Sequence, residues 1–207
     1  MHPAQSPDAC PTCRKPTAVC VCDRVQPAAV RCRVVVLQHP REQDRALGTV
    51  PILERAVGAD RRVGLSWPNF AAAGGGEGRW AVLWPNQLPR ALTEAEAQAP
   101  VVRVAVGDPG PLTALDGIVA LDGTWSQAKA LWWRNPWLMR LDRLVVQPRE
   151  PSIYGRLRRE PRRSWVSTLE AVADALVAVG EPEEVRAELR RAMRTMVQRA
   201  RDAGDVA

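Results

Sequence analysis

The sequence has few lysines and histidines and no long apolar run. Lys15 and Lys129 are its two lysines, and His2 and His39 are its two histidines. Every apolar stretch falls well short of the roughly 20 residues that a membrane-spanning helix needs. Residues 1–6 carry neither the basic nor the apolar region of a signal peptide. These absences predict a cytoplasmic protein that makes no membrane contact.

Three common motifs are also missing. No G-x-G-x-x-G pattern follows the first predicted strand, and neither a Walker phosphate loop nor an H-E-x-x-H motif occurs. The glycine run at residues 74–76 lacks the spacing and the lysine of a phosphate loop, so we interpret it as a surface loop. The sequence therefore argues against a dinucleotide-binding enzyme, a P-loop NTPase and a zinc protease.

Arginine supplies nearly all of the positive charge. The 207 residues carry a formal net charge of +6, and the pI is near 9.6. Six of the 16 residues from 148 to 163 are arginines, whose planar guanidinium group suits phosphate contacts. This clustering predicts a polyanionic partner. A solvated basic loop, or a genome that encodes arginine in place of lysine, is the alternative.

Four of the five cysteines lie near the N-terminus, at Cys10, Cys13, Cys20 and Cys22. The segment around them is too short and polar to fold by apolar burial alone, so a cross-link must stabilise it. In a cytoplasmic protein, four thiolates with a C-x-x-C spacing favour a structural zinc site. A redox pair or a disulfide clamp is the alternative. We divide the chain into a cysteine-rich segment, 1–28, and a catalytic domain, 29–207.

Short apolar runs alternate with helical patterns in the rest of the chain. This alternation predicts an α/β fold with a mostly parallel sheet and helices on both faces. The runs at 34–37, 80–84 and 115–121 each end in a polar corner: residues 38–40, 84–86 and 122–125. Ligands bind at the carboxyl ends of parallel strands, so these corners are expected to share a pocket.

Together these motifs resemble the DTW-domain proteins, which are named for an aspartate, a threonine and a tryptophan represented here by Asp122, Thr124 and Trp125. The resemblance covers nearly the whole chain in the expected order. It includes the four cysteines and the segments 38–42, 83–85, 121–129, 154–158 and 167–171. The chain departs from the family in having Trp84 where a tyrosine is common, and in its glycine-rich insert.

The resemblance implies a fold and an activity. The fold is SPOUT-like, with a C-terminal trefoil knot whose loops hold S-adenosylmethionine. The activity is transfer of the 3-amino-3-carboxypropyl group from S-adenosylmethionine to N3 of a uridine in tRNA, with release of methylthioadenosine. A SPOUT-type RNA methyltransferase and a non-enzymatic, zinc-containing RNA-binding module are the alternatives. The identity of the uridine and the oligomeric state stay open.

The resemblance also assigns roles to residues. Asp122, Thr124 and Trp125 form the implied catalytic group, in which Asp122 either removes the N3 proton or orients the uracil. The residues implied for S-adenosylmethionine binding are Leu83, Trp84, Pro85, Leu121, Gly123, Ser167, Thr168, Leu169, Glu170 and Ala171. Those implied for RNA binding are His39, Arg41, Lys129, Tyr154, Arg156, Arg158 and Arg159. The implied zinc ligands are Cys10, Cys13, Cys20 and Cys22.

Overall fold

A computed structural model of the chain describes residues 8–84, 91–106, 110–148, 150–155, 157 and 166–204. Its six strands are β1 (Arg33–Gln38), β2 (Asp60–Val63), β3 (Trp80–Leu83), β4 (Val101–Val104), β5 (Gly117–Asp122) and β6 (Asp142–Val146). They form one sheet in the order β2-β1-β5-β3-β6-β4. All neighbouring pairs are parallel except β4 and β6. The predicted α/β class and mostly parallel sheet are confirmed.

Within the described residues, five α-helices accompany the sheet: α1 (Val50–Val57), α2 (Glu94–Gln98), α3 (Trp125–Arg134), α4 (Thr168–Ala178) and α5 (Glu183–Asp202). Short 3-10 turns lie at Thr17–Val19, Pro40–Glu42, Leu112–Ala114 and Pro136–Arg140. Among the helices of the described ranges, none is both long enough and apolar enough to cross a membrane.

The sheet is buried on both faces. Alternate side chains of a strand point to opposite faces, and β1 follows this rule with apolar residues at every inner position. Val34 and Val36 belong to a cluster built with α1, α4 and α5, whereas Val35 and Leu37 belong to a second cluster built with α3. Helices therefore cover both faces, as the continuous apolar runs predict.

Strand β5 occupies the centre of the sheet, between β1 and β3. Its first residue, Gly117, pairs with Trp80, and a Cβ atom there would lie 2.3 Å from the Trp80 ring. Glycine is thus required for β5 to approach β3. At the other end, Asp122 pairs with Gln38 of β1. The carboxyl ends of the parallel strands consequently meet at one edge of the sheet.

The cysteine-rich segment packs against the sheet domain through apolar and ionic contacts. Its buried valines share the core cluster of α1, α4 and α5: Val19, Val21 and Val25. The guanidinium of Arg199 on α5 donates two hydrogen bonds of 3.0 Å to Asp23 and another to the Cys20 carbonyl. The division at residue 28 stays a prediction.

A fully buried carboxylate fixes the start of α4. Ser167 and Glu170 form a capping box, in which each side chain bonds the other residue's backbone N–H. Glu170 also accepts hydrogen bonds of 2.8 Å from the Ser152 hydroxyl and 2.9 Å from the Ile153 N–H. One carboxylate therefore joins the loop after β6 to the helix that follows it.

Replacing Glu170 by glutamine is expected to destabilise the protein by roughly 1–3 kcal/mol, because an amide nitrogen at either oxygen position would face a backbone N–H donor, that of Ile153 or that of Ser167. Urea unfolding monitored by circular dichroism measures this change. Glu150→Gln is the matched control, since Glu150 is an exposed carboxylate paired with Arg190 and such pairs contribute little. Equal stability of the two variants would contradict the tethering role of Glu170.

Candidate active site and metal centre

The Asp122 carboxylate joins three separate segments at the carboxyl edge of the sheet. Its Oδ2 accepts a 2.8 Å hydrogen bond from Gln38 Nε2 at the end of β1. Its Oδ1 accepts a 2.7 Å hydrogen bond from the Thr168 hydroxyl at the first residue of α4. The Asp122 backbone carbonyl also accepts from the His39 N–H at 2.9 Å. Both oxygens of this half-buried carboxylate are held in place by the protein.

Gln38 lies in one of the strand-end corners that were expected to share a pocket, but it was not among the residues given a specific role. Its side chain is 1% exposed, and its Oε1 has no hydrogen-bond partner among the described residues. A buried acceptor without a donor costs about 1–3 kcal/mol, so such an atom marks a position where a ligand's donor fits. Gln38 and Asp122 end two adjacent parallel strands and are paired in their register. This contact could not be predicted, because the sequence does not show which strands are neighbours.

The turn after β5 follows from local sequence. Thr124 is the N-cap of α3 and forms a capping box with Gln127, which confirms that a hydroxyl of this turn caps the helix. Gly123 permits the close approach of α3, because a Cβ atom there would lie 2.8 Å from the Gln127 Cβ. Trp125 is the first helical residue and is half-buried. The motif thus places Asp122 at the end of β5 and Trp125 at the start of α3, with Gly123 and Thr124 between them.

The corner after β1 is also locally ordered. His39 caps the 3-10 turn Pro40–Glu42, since its Nδ1 accepts from the Arg41 N–H at 3.2 Å. The Arg41 side chain is exposed. His39 therefore has a structural role in this corner, and Arg41 is the residue that solvent or a ligand reaches.

The end of β3 contributes an aromatic wall. Leu83 is buried, and the ring of half-buried Trp84 lies 4.1 Å from that of Trp132 on α3. The Arg143 guanidinium lies over both rings, 5.6 Å from Trp84 and 5.4 Å from Trp132. Cation–π contact of this kind fixes the rings in place. Pro85, the next residue of the predicted site, lies outside the described residues.

The segment 167–171 divides into one residue that reaches the site and others that build the helix. Thr168 contacts Asp122 directly. Ser167 and Glu170 are engaged in the capping box, and the Leu169 side chain is fully buried. Ala171 lies in the first turn and packs against the core. Of these five residues, Thr168 is the one whose side chain the structure brings to Asp122. Asp122, which follows Leu121 on β5, is also paired with Gln38 on the neighbouring strand β1.

The residues predicted to bind RNA occupy different environments. Lys129 is exposed on α3. Tyr154 is 1% exposed, and its hydroxyl donates a 2.5 Å hydrogen bond to the Leu47 carbonyl. A ring buried in this way offers no face on which a base can stack. Arg156, Arg158 and Arg159 lie outside the described residues.

The four N-terminal cysteines form a candidate metal centre. The Sγ atoms of Cys10, Cys13, Cys20 and Cys22 all lie within 4.8 Å of one another, and those of Cys13 and Cys20 are 3.6 Å apart. Zn–S bonds of about 2.3 Å in a tetrahedron place the sulfurs about 3.8 Å apart. The spacing therefore suits a tetrahedral metal ion. No other such group of ligands occurs in the described ranges.

The thiols of this centre differ in acidity. The Cys13 backbone N–H lowers the pKa of Cys10 to about 6, whereas burial raises the pKa of Cys20 to about 11. Burial also raises the pKa of Cys22. A bound cation would stabilise all four thiolates together. The fifth cysteine, Cys32, is fully buried elsewhere in the core, and burial raises its pKa to about 12.

A lysine inside the cysteine loop connects this centre to the β1 corner. Lys15 is 6% exposed. Its ammonium group donates to the Gln43 carbonyl at 3.1 Å and to the Arg45 carbonyl. Gly48 leaves room for it, since a Cβ atom there would lie 3.0 Å from the Lys15 Nζ. The metal centre and the corner that follows Gln38 are thereby held together.

Comparison with known proteins identifies the family. A family model described as the DTW domain matches residues 7–201. The chain belongs to the DTW-domain family. The matched range includes the Asp122-Gly123-Thr124-Trp125 turn, whose Asp122 bonds Gln38 and Thr168.

Several curated DTW-domain proteins are similar to this chain. A Drosophila melanogaster protein named tRNA-uridine aminocarboxypropyltransferase 2 is 30% identical over 207 residues, covering 95% of this chain and 76% of that protein. A Mus musculus protein of the same name is 30% identical over 185 residues, covering 84% and 57%. An Arabidopsis thaliana protein named tRNA-uridine aminocarboxypropyltransferase A is 26% identical over 221 residues, covering 91% and 79%. No solved structure matches the chain.

Replacing Gln38 by glutamate is expected to cause a loss of stability that grows with pH. Two carboxylates in contact cannot both ionise freely, so the folded variant holds a proton with a raised pKa. The unfolded chain loses that proton near pH 4. The penalty is therefore small at pH 5 and increases as the pH rises through the pKa of the folded pair. Thermal unfolding at pH 5 and pH 8 measures it.

The control for this change is Gln38→Met, which removes the hydrogen bond without adding charge. Its loss of stability is expected to be similar at both pH values. If the loss of stability in Gln38→Glu were also the same at both pH values, the contact between residue 38 and the Asp122 carboxylate would be contradicted.

The four-cysteine cluster predicts one bound metal ion per chain. Removal of that ion by a chelator is expected to lower the melting temperature. Elemental analysis and thermal unfolding before and after chelator treatment test this. Cys13→Ser removes one ligand and is expected to lower the metal content, whereas Cys32→Ala leaves it at one ion. A metal-free native protein, or one whose content is unaffected by Cys13→Ser, would contradict the assignment.

Proposed function

We propose that this protein transfers the 3-amino-3-carboxypropyl group from S-adenosylmethionine to N3 of a uridine in tRNA and releases methylthioadenosine. Membership of the DTW-domain family and the names of the relatives support this activity. The observation that carries it is the convergence of Gln38, Asp122 and Thr168 at the carboxyl edge of the sheet. This is where α/β proteins bind their ligands.

The reaction requires a proton acceptor and a fixed orientation of two substrates. The donor supplies a carbon activated by the neighbouring sulfonium, and the carbon–sulfur electron pair leaves with the sulfur. The uridine N3 forms the new bond and gives up its proton. The protein must therefore place an acceptor beside N3 and exclude attack on the methyl group.

Asp122 is the acceptor that the geometry favours. The Gln38 amide and the Thr168 hydroxyl each donate to one of its oxygens, which leaves lone pairs in a fixed direction. We propose that Asp122 takes the N3 proton and that Gln38 and Thr168 are positioning residues. The unpaired Gln38 Oε1 then accepts from a donor group of one of the substrates.

The neighbouring groups are proposed to bind the two substrates. Gly123, Leu121 and the Leu83–Trp84 strand end form the wall facing the donor, and Trp125 closes the uridine side of the pocket. Thr124 acts through its cap on α3, which fixes Trp125. Arg41 and Lys129 are exposed and contact RNA, as do Arg156, Arg158 and Arg159 in our proposal.

The cysteine cluster is proposed to hold a structural zinc ion through Cys10, Cys13, Cys20 and Cys22. Zinc in such a site supplies folding stability and no step of the reaction. Four sulfurs within 4.8 Å of one another support it. A cytoplasmic location stays a prediction.

We also propose a SPOUT-related fold with a C-terminal trefoil knot. The order of strand insertion supports it, because β5 enters between β1 and β3, and β6 enters between β3 and β4. In addition, α4 returns to contact Asp122 after the chain has left β6. Knots are rare, so this element rests on the family.

Incubation with S-adenosylmethionine and unmodified tRNA is expected to add an aminocarboxypropyl mass to uridine, as measured by nucleoside mass spectrometry. The same protein is expected to be stabilised thermally by S-adenosylmethionine. A methyl-sized addition would instead support an RNA methyltransferase. RNA binding without any effect of S-adenosylmethionine would support a non-enzymatic RNA-binding module.

Replacing Asp122 by asparagine is expected to lower turnover by roughly 100- to 10,000-fold, which is the usual contribution of a general base. Asparagine can keep both hydrogen bonds, since its oxygen accepts from Gln38 and its amide donates to the Thr168 hydroxyl. Binding of S-adenosylmethionine is therefore expected to change only a few-fold, as measured by calorimetry. Retained turnover would show that the carboxylate does not accept the proton.

A further inference from the structure

Helix α3 carries an exposed face of which the proposed function uses only Lys129. Ser126, Lys129 and Trp133 are all exposed and follow the i, i+3, i+7 spacing of one helix face. The opposite face packs into the core through Ala128, Leu131 and Trp132. The exposed face begins beside Trp125 in the candidate site and extends away from it.

Trp133 is unusual on this face. Its side chain is 69% exposed, the largest value among the exposed apolar residues. It makes no ring or cation–π contact with the described residues. Tryptophan is enriched at interfaces, where a partner covers its large ring. The core does not require this ring, which is therefore available to a partner outside the chain.

The charge of the surrounding segment indicates a polyanion. Residues 123–141 contain no acidic residue, and they include Lys129, Arg134 and Arg140. All three basic side chains are exposed. None forms an ion pair within the described ranges. In an isologous dimer, each of these cations would lie near a copy of the others, and like charges would oppose association.

We propose that Trp133 and Lys129 form a docking site for the single-stranded tRNA nucleotides that flank the target uridine. Trp133 stacks on a flanking base, and Lys129 contacts the backbone phosphate. Interleaved aromatic and basic side chains are what such single-strand sites use. The proposal rests on the proposed function, because the site beside Trp125 defines where the target uridine enters.

The helix geometry sets the distance between the two base sites. Eight residues at 1.5 Å each separate Trp125 from Trp133 by about 12 Å. Stacked nucleotides in one strand advance about 3.4 Å each, so this separation corresponds to about three or four nucleotides. The site therefore holds the base of a nearby nucleotide of the same loop rather than a distant part of the tRNA.

RNA affinity of the full-length protein tests the proposal. The probes are an unmodified tRNA transcript and an oligouridylate of about ten nucleotides, within the size range of single-strand sites. Trp133→Ala is expected to weaken binding of both roughly 10- to 100-fold, whereas Trp133→Tyr keeps a stacking ring and stays within a few-fold. Lys129→Ala is expected to reduce the slope of log affinity against log salt concentration by about 1, which corresponds to the loss of one phosphate contact.

Val106→Ala is the matched control. Val106 is another exposed apolar residue, and it follows the antiparallel strand β4, so it lies at the opposite edge of the sheet. Truncation of the Val106 side chain to alanine is expected to leave RNA affinity unchanged. If Trp133→Ala bound RNA as well as Val106→Ala, the inference would be overturned. It would also be overturned if Trp133→Ala abolished self-association in sedimentation but kept wild-type RNA affinity.

Measuring binding without S-adenosylmethionine separates this inference from the proposed function. If wild-type protein adds no aminocarboxypropyl group but Trp133→Ala still weakens RNA binding, then the proposed activity fails and the docking site stands. If the enzyme is active and Trp133→Ala has no effect on the tRNA KM, then the docking site fails and the activity stands. In an active enzyme, kcat at saturating tRNA is expected to stay near the wild-type value.

Discussion

The carboxylate of Asp122 is the point on which the functional end of this molecule depends. It receives hydrogen bonds from β1 and from α4, two elements separated by more than a hundred residues. A charged acceptor with a donor on each oxygen has a fixed direction, and charge-assisted hydrogen bonds are stronger than neutral ones. The strand end, the β1 corner and the start of α4 are consequently held as one unit. This explains how a short D-G-T-W turn can organise a site drawn from the whole chain.

Two further polar networks support this unit from either side. The buried Glu170 joins the loop after β6 to α4, and so fixes the helix that carries Thr168. On the other side, the Lys15 ammonium connects the cysteine loop to the corner after Gln38. In both cases a buried charge is satisfied by several partners, which is the condition under which burial of a charge is tolerated. The cysteine cluster is thus joined to the β1 corner of the site, although it lies outside the site.

In our proposal, RNA recognition and chemistry depend on different residues around the site. Tyr154 lies in the core and cannot stack on a base, whereas Trp133 lies in solvent on a helix that starts at the site. Trp133 is 69% exposed, in a segment of the chain that contains no acidic residue. Stacking there and phosphate contacts from arginine and lysine would position the loop, and the strand-end groups would act on one uridine. Affinity and chemistry would then reside on different residues.

Local sequence patterns were sufficient to predict the α/β class, the mostly parallel sheet, the cysteine cluster and the capped turn at Thr124. These follow from short-range patterns: apolar runs, cysteine spacing and a hydroxyl before a helix. The hydrogen bonds of Gln38 and Thr168 to Asp122, the burial of Tyr154 and the exposure of Trp133 become visible only in the folded chain. Those features depend on which strands pair and on which helix face meets the sheet. Both are set by contacts between residues distant in sequence, for which a single sequence carries no local signal.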